Sequence, residues 1–183
     1  MKSNPIRLTG TSYAVLALFD QCGGEATSYD LKQALDVSIQ NFWPVPHTTA
    51  YEEPARLAKA GYLTARQEEG GRRKRVYALT EVGREALREW AAEPTATDPQ
   101  FRDEAVLKAF AGGEPGPLYE LRTGWHRAKL EEMRGLFHNL EGVEGVERSR
   151  RTLAMGIGYH EKMLELLEEM ADWTPAQALP SRG

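Results

Sequence analysis

Between Gly61 and Thr80 the apolar residues stop recurring every three or four positions and begin to alternate. "YLTARQEE" and "RVYALT" flank a central "GGRRK". A period of two around a Gly-Gly pair predicts two short strands joined by a turn, and few folds place such a hairpin after a run of helical patterns. Three helical patterns precede it and one follows. The predicted order to residue 92 is therefore helix, helix, helix, strand, strand, helix.

The helices are read from caps and stops. "TSYAVLALFDQCGG" offers a capping residue, an apolar run of helical length and a Gly-Gly stop, which predicts a helix over 11–22. In "TSYDLKQALDV" Ser28 is the expected N-cap, with Leu31, Ala34 and Leu35 on one face. "IQNFWPVPH" is not helical at Pro44 and Pro46. A third helix begins near Thr48, with Ala50, Tyr51, Leu57, Ala58 and Ala60 available for packing and Gly61 as its stop. Pro54 either kinks this helix or marks its first turn, which would confine the regular part to Glu53–Ala60. Thr80 caps the fourth, "EVGREALREWAAE", which ends before Pro94.

"EPTATDP", residues 93–99, is a linker between a first domain, 1–92, and a second, 99–173. The second domain has a short helix in "QFRDEAVLKAFAG", a break at "GGEPGP", and two long helical patterns over 118–140 and 143–171. The last pattern carries two apolar stripes. One holds Val143, Val146, Leu153, Ile157, Leu164 and Leu167, with Arg150 and His160 as polar exceptions; the other holds Met155, Tyr159, Met163, Leu166 and Met170. Two stripes are more than one partner helix needs, so a second copy of the chain is the expected partner, with Leu153, Ile157, Met163, Leu164, Leu167 and Met170 at the interface. Residues 174–183 read as a flexible tail.

Charge is spread unevenly. The chain carries a formal −4, yet residues 56–88 hold nine basic side chains against four acidic, a net +5, while 141–172 hold eight acidic against four basic, a net −4. Arg72, Arg73, Lys74 and Arg75 stand consecutively at the hairpin tip. Helix–helix–helix–hairpin with a basic tip is the layout of a winged helix-turn-helix, whose third helix enters the DNA major groove while the hairpin lies along the sugar-phosphate backbone. Tip cations give affinity and positioning without sequence reading. On the third helix the polar positions are Thr48, Thr49, Glu52, Arg56 and Lys59. Arg56 suits a guanine or a phosphate, the threonines suit capping or a base methyl, and Glu52 suits a cytosine amino group or the helix N-terminus.

The run "FWPVPHTTAYEEPARLAKAGYLTARQEEGGRRKRVYALTEVGREALREW" closely resembles the N-terminal domain of the PadR family of bacterial transcriptional regulators. The matching positions are Phe42-Trp43-Pro44, Tyr51, Arg56-Leu57, Gly61, Arg75, Tyr77, Leu79-Thr80, Gly83, Leu87 and Trp90. The resemblance spans residues 8–92 and is compositional over 99–173, where the helices look like the long C-terminal dimerisation region of one branch of the family. It implies a mostly α protein: a winged helix-turn-helix domain plus an antiparallel, coiled-coil-like helical dimerisation domain. It also implies a homodimeric repressor on a palindromic operator, its two recognition helices about 34–36 Å apart. Tyr51 joins the expected DNA-facing helix residues and Tyr77 the wing. Ligand-responsive control implies a small aromatic effector, for which Trp43, Trp90, Trp125 and Tyr159 are the candidate lining.

No enzyme, metal or cofactor is expected. His47, His126, His138 and His160 lack metal-ligand spacing, and Glu131-Glu132 and Glu168-Glu169 are neighbours that diverge around a helix. "GGEPGP" is a linker and no phosphate loop. The single cysteine, Cys22, reads as a small buried thiol. The absence of an apolar membrane span or signal-peptide core gives a cytoplasmic reading. The competing reading is a winged-helix module for protein association without DNA.

Overall fold

The computed structural model describes residues 6–67, 74–95 and 97–171. It divides into two compact units, Met1–Thr97 and Asp98–Gly183. The first unit contains α1 (Gly10–Gln21), β1 (Glu25–Thr27), α2 (Ser28–Val37), a turn of 3-10 helix at Ile39–Asn41, α3 (Thr49–Lys59), β2 (Leu63–Gln67), β3 (Arg75–Leu79) and α4 (Glu81–Ala92).

Capping fixes the helix starts. Thr9 and Ser12 form a reciprocal capping box on α1. On α2 the cap is Thr27 and not Ser28, because Asp30 stands at the third helical position and returns the bond to the Thr27 backbone. Pro54 lies inside a continuous α3, which resolves the two readings of that proline. Gly61 ends α3 at φ +88°, with Tyr62 N–H bonding Leu57 C=O and Gly61 N–H bonding Ala58 C=O, a Schellman stop that needs the left-handed conformation.

The sheet is antiparallel in the order β1-β3-β2, with Ala26 opposite Tyr77 and Ala65 opposite Tyr77 on the other side. β1 has no counterpart among the expected elements. Beneath the sheet Val15, Leu16, Phe19, Leu31, Leu35, Ala50, Leu57, Leu63 and Leu79 form one core. Cys22 lies outside it: it caps the C-terminal end of α1 and is exposed, contrary to the buried thiol expected.

The second unit comprises α5 (Glu104–Phe110), α6 (Pro115–Asn139) and α7 (Glu147–Ala171). Asp103 accepts from the Ala105 N–H at 2.8 Å and holds Arg122 of α6 at 2.7 Å, tying the start of α5 to the longer helix. α6 and α7 pair antiparallel, as Arg134–Glu161 and Arg127–Glu168 show. α7 begins four residues later than expected, so Val143 and Val146 belong to the connecting turn and not to its apolar stripe. His126, Leu130 and Met133 of α6 and His160 and Leu167 of α7 are buried in the seam. Much apolar surface stays uncovered: Phe110 is 90% exposed, Leu121 82% and Met155 73%. Among the described residues no helix is long and apolar enough to cross a membrane.

Candidate nucleic-acid interface

α3 packs one face on α1 and α2 and offers the other to solvent. Ala50, Pro54 and Leu57 are buried, and so is Thr49, at 9% exposure. Thr48, Tyr51, Glu52 and Lys59 are exposed, a spacing that puts them along one side of the helix. Thr48 makes no side-chain cap bond, because the chain already turns from Pro46, whose carbonyl receives the Thr49 N–H at 3.0 Å. Its expected capping role is therefore vacant, and its hydroxyl is presented at the helix start. Lys59 sits in the last turn, where a cation complements the helix dipole.

Arg56 is differently placed from what its sequence position promised. Its guanidinium donates to Glu53 at 2.8 and 2.5 Å and to the Ser12 hydroxyl of α1 at 2.8 Å. Burial pushes the Glu53 carboxyl up, but bonds from Arg56 and Ser12 outweigh it and hold the group below its ordinary value. The arginine is thus engaged in fastening α3 to α1. Arg56→Ala should cost about 2 kcal/mol, since it strands a largely buried carboxylate, and Glu53→Ala on top of it should recover part of that loss. A urea-unfolding double-mutant cycle reads the coupling, and additive losses would dissolve the pair.

The wing is formed by β2 and β3. Arg75 and Lys74 are exposed, with the Arg75 guanidinium 5.4 Å from the Tyr77 ring centroid. Arg72 and Arg73, and the Gly70-Gly71 turn, lie outside the described residues. Tyr77, expected to face DNA, is only 3% exposed, its ring set edge-on to Phe19 at 6.5 Å. It belongs to the core because the period of two along β3 puts it on the same face as Leu79, and Phe19 of α1 covers that face. Other basic residues are already paired: Arg66 with Glu25, Arg84 with Glu81, and Arg88 with Glu81 and Glu85. Among the described residues Lys59, Lys74 and Arg75 form no ion pair. Net charge by sequence count overstated the free cations; their location was legible.

The aromatic residues expected to line an effector pocket are divided between the two units. Trp43 lies against Gly10, where an added Cβ would come within 2.4 Å of its ring. Trp90 stacks on Tyr13 with centroids 4.5 Å apart and planes 4° from parallel. That pair borders a groove of about 290 Å³, lined also by Ile6, Leu8, Tyr62, Glu89 and Glu93. Trp125 and Tyr159 stand in the second unit, beside His126 and His160. Of the expected interface residues, Leu167 is already buried within its own chain, and Leu153, Ile157, Met163, Leu164 and Met170 are half-buried. The exposed apolar residues of α7 are Met155, Tyr159 and Leu166. No group of three histidine, cysteine or acidic side chains among the described residues is placed to hold a metal ion.

Three helices with an outward α3, a basic β2–β3 wing and a third short strand define a winged helix-turn-helix protein, joined here to a helical-hairpin unit. Residues 15–89 match the Transcriptional regulator PadR-like family. Over those residues the chain is similar to that family of transcriptional regulators. It is 27% identical over 135 residues to the negative transcriptional regulator PadR of Bacillus subtilis, covering 70% of this chain and 73% of that protein. It is 27% identical over 176 residues to a probable transcriptional regulator of Mycobacterium tuberculosis, covering 85% and 93%. Crystal structures of Bacillus subtilis PadR share the fold. The one in complex with operator DNA has a TM-score of 0.77 at 23% identity, covering 92% of this chain and 98% of that one. The one in complex with p-coumaric acid has a TM-score of 0.71 at 21% identity, covering 90% and 97%.

Proposed function

We propose that this regulator binds a palindromic DNA operator as a homodimer, represses transcription there, and is released by a small aromatic effector. The observation that carries the reading is the pairing of an exposed α3 face with unpaired cations on the neighbouring wing. Thr48, Tyr51, Glu52 and Lys59 face the major groove, while Lys74 and Arg75, with Arg72 and Arg73, hold phosphate. Operator DNA bound to Bacillus subtilis PadR supports the same use of a shared fold. The homodimer is supported by the uncovered apolar side chains Leu107, Phe110, Leu121, Met155 and Leu166, which a second copy of the chain would cover.

Bacillus subtilis PadR is seen with p-coumaric acid. In this chain the groove beside Trp90 carries the carboxylates of Glu89 and Glu93, which disfavour an anion there, so a neutral or cationic aromatic suits it better. The domains assigned to 1–92 and 99–173 would divide these tasks between DNA and self-association.

The test is a fluorescent duplex from the region upstream of the chain's own coding sequence, titrated against excess random competitor, with sedimentation of the complex. Retention against competitor, at two chains per duplex, is the expected result. Binding that random duplex abolishes would mean that this site is not the operator. Failure to bind any duplex at low salt would leave the protein-association module as the reading.

A further inference from the structure

Two of the four histidines meet, although 34 residues separate them. His126 Nδ1 of α6 and His160 Nδ1 of α7 lie 2.8 Å apart, midway along the helical pair, and the residues are 2% and 4% exposed. Trp125 and Tyr159 flank them, with the Trp125 ring 4.8 Å from His126 and the Tyr159 ring 5.2 Å from His160. A contact between two Nδ1 atoms accommodates one proton, donated by one ring and accepted by the other. Two protons there would set N–H against N–H.

The remaining histidines differ. Exposed His47 and His138 each have a carboxylate near, Asp36 at 3.5 Å and Glu141 at 3.3 Å. Among the described residues neither His126 nor His160 has one within ion-pair distance, and the nearby carboxylates of Asp103 and Glu132 offset only part of the cost of a charge formed inside the seam. The charged groups around the pair are Asp103 from the start of α5 and Arg122, Lys129 and Glu132 from α6, with the Tyr159 phenol from α7. Arg122 is engaged with Asp103 at 2.7 Å, and Lys129 with Glu132 at 2.7 Å.

We propose that the His126–His160 contact is a proton-operated latch: closed at neutral pH it holds α6 to α7, and protonation of both imidazoles in acid opens that part of the hairpin. Burial, followed by the charges of His160 and Arg122, holds His126 below the ordinary histidine value of 6.5. Burial, followed by Lys129, does the same for His160. A histidine depressed on folding is protonated more readily in the open form. The latch is therefore at full strength above the ordinary histidine value and weakens as pH falls through the lowered ones. It does not require that the protein bind DNA. The hairpin it secures also carries Met155 and Leu166, so acid would reach the surface proposed for self-association.

The full-length chain, labelled at the histidine ring carbons, is titrated by NMR from about pH 8 to about pH 4.5, spanning the ordinary histidine range. Signals are assigned with the single variants His126→Gln and His160→Gln. Hydrogen exchange of residues 115–139 and 147–171, corrected for the intrinsic pH dependence, is followed alongside. The expected result is that the His126 and His160 rings stay neutral below the ordinary histidine value, with excess exchange rising up to about tenfold per pH unit for each proton taken up. The double variant His126→Gln/His160→Gln should lose that rise. Normal titration of His126 and His160, exchange indifferent to their titration, or an undiminished rise in a folded double variant would each overturn the latch. If the double variant does not fold, the native titration and exchange decide.

Discussion

Replacing Arg72, Arg73, Lys74 and Arg75 with alanine should weaken binding to operator and random duplex alike, and should flatten the dependence of log K on log salt by up to about 3.6, or about 0.9 for each phosphate no longer neutralised. Between about 50 and about 200 mM salt the native complex should then weaken roughly a hundredfold more than the variant does. The ratio of operator to random affinity should stay nearly constant, because phosphate contacts position the protein without reading bases. Arg75 also lies over Tyr77, so circular dichroism must first show that the variant keeps its fold. Fluorescence anisotropy at four or five salt concentrations then gives both slopes. A slope identical to that of the native chain would remove the wing from the DNA interface altogether. A collapse of the operator-to-random ratio would instead make the wing a reader of sequence.

The features legible in the sequence are those whose cause lies within a few residues. The β2–β3 hairpin follows from alternation between two glycine signals, α4 from the Thr80 cap, and the end of α3 from Gly61. β1 leaves no such mark: three residues cannot show a period, and Glu25–Thr27 is extended because β3 supplies its partner. Thr27 and Ser28 are equally good caps by type, and the choice falls to Asp30, three residues beyond the true one. On α3 the exposed positions Thr48, Tyr51, Glu52 and Lys59 stand out by polarity or by type, yet Arg56 is indistinguishable from them. What engages it is Ser12, 44 residues earlier, together with Glu53. His160 likewise reads as a polar interruption of an apolar stripe, and only folding sets His126 opposite it. Pairings across such distances are made by packing, and a local pattern does not contain them.

Gly83→Ala should be among the most damaging single-methyl changes in the first unit, and its reason explains a motif. "LTEVGREALREW" spaces Thr80, Gly83, Leu87 and Trp90 at intervals of three and four, so all four lie toward one side of α4. The Thr80 hydroxyl accepts the Gly83 N–H at 3.0 Å and reaches the carbonyls of Gly61 and Tyr62 at 2.8 and 2.9 Å, clamping α4 to the turn that leaves α3. Leu87 enters the core and Trp90 stacks on Tyr13 of α1. This close approach leaves no room at Gly83: a Cβ there would lie 2.3 Å from the Tyr62 carbonyl oxygen and 2.8 Å from Leu79 Cδ1. The obstructing atom is backbone in a turn already held by Thr80, so α4 must move as a whole. A cost of about 3 kcal/mol is expected, at the upper end for overpacking, despite the better helix propensity of alanine. For a unit of this size that lowers the thermal midpoint by roughly 10–20 °C. Gly135→Ala is the control, since no atom stands within 4 Å of its added Cβ on α6 and it should stabilise slightly. Thermal melts followed by circular dichroism compare the two. Equal midpoints for Gly83→Ala and the native chain would mean that α4 yields freely, and the clamp at Thr80 would then have no purchase on the wing it adjoins.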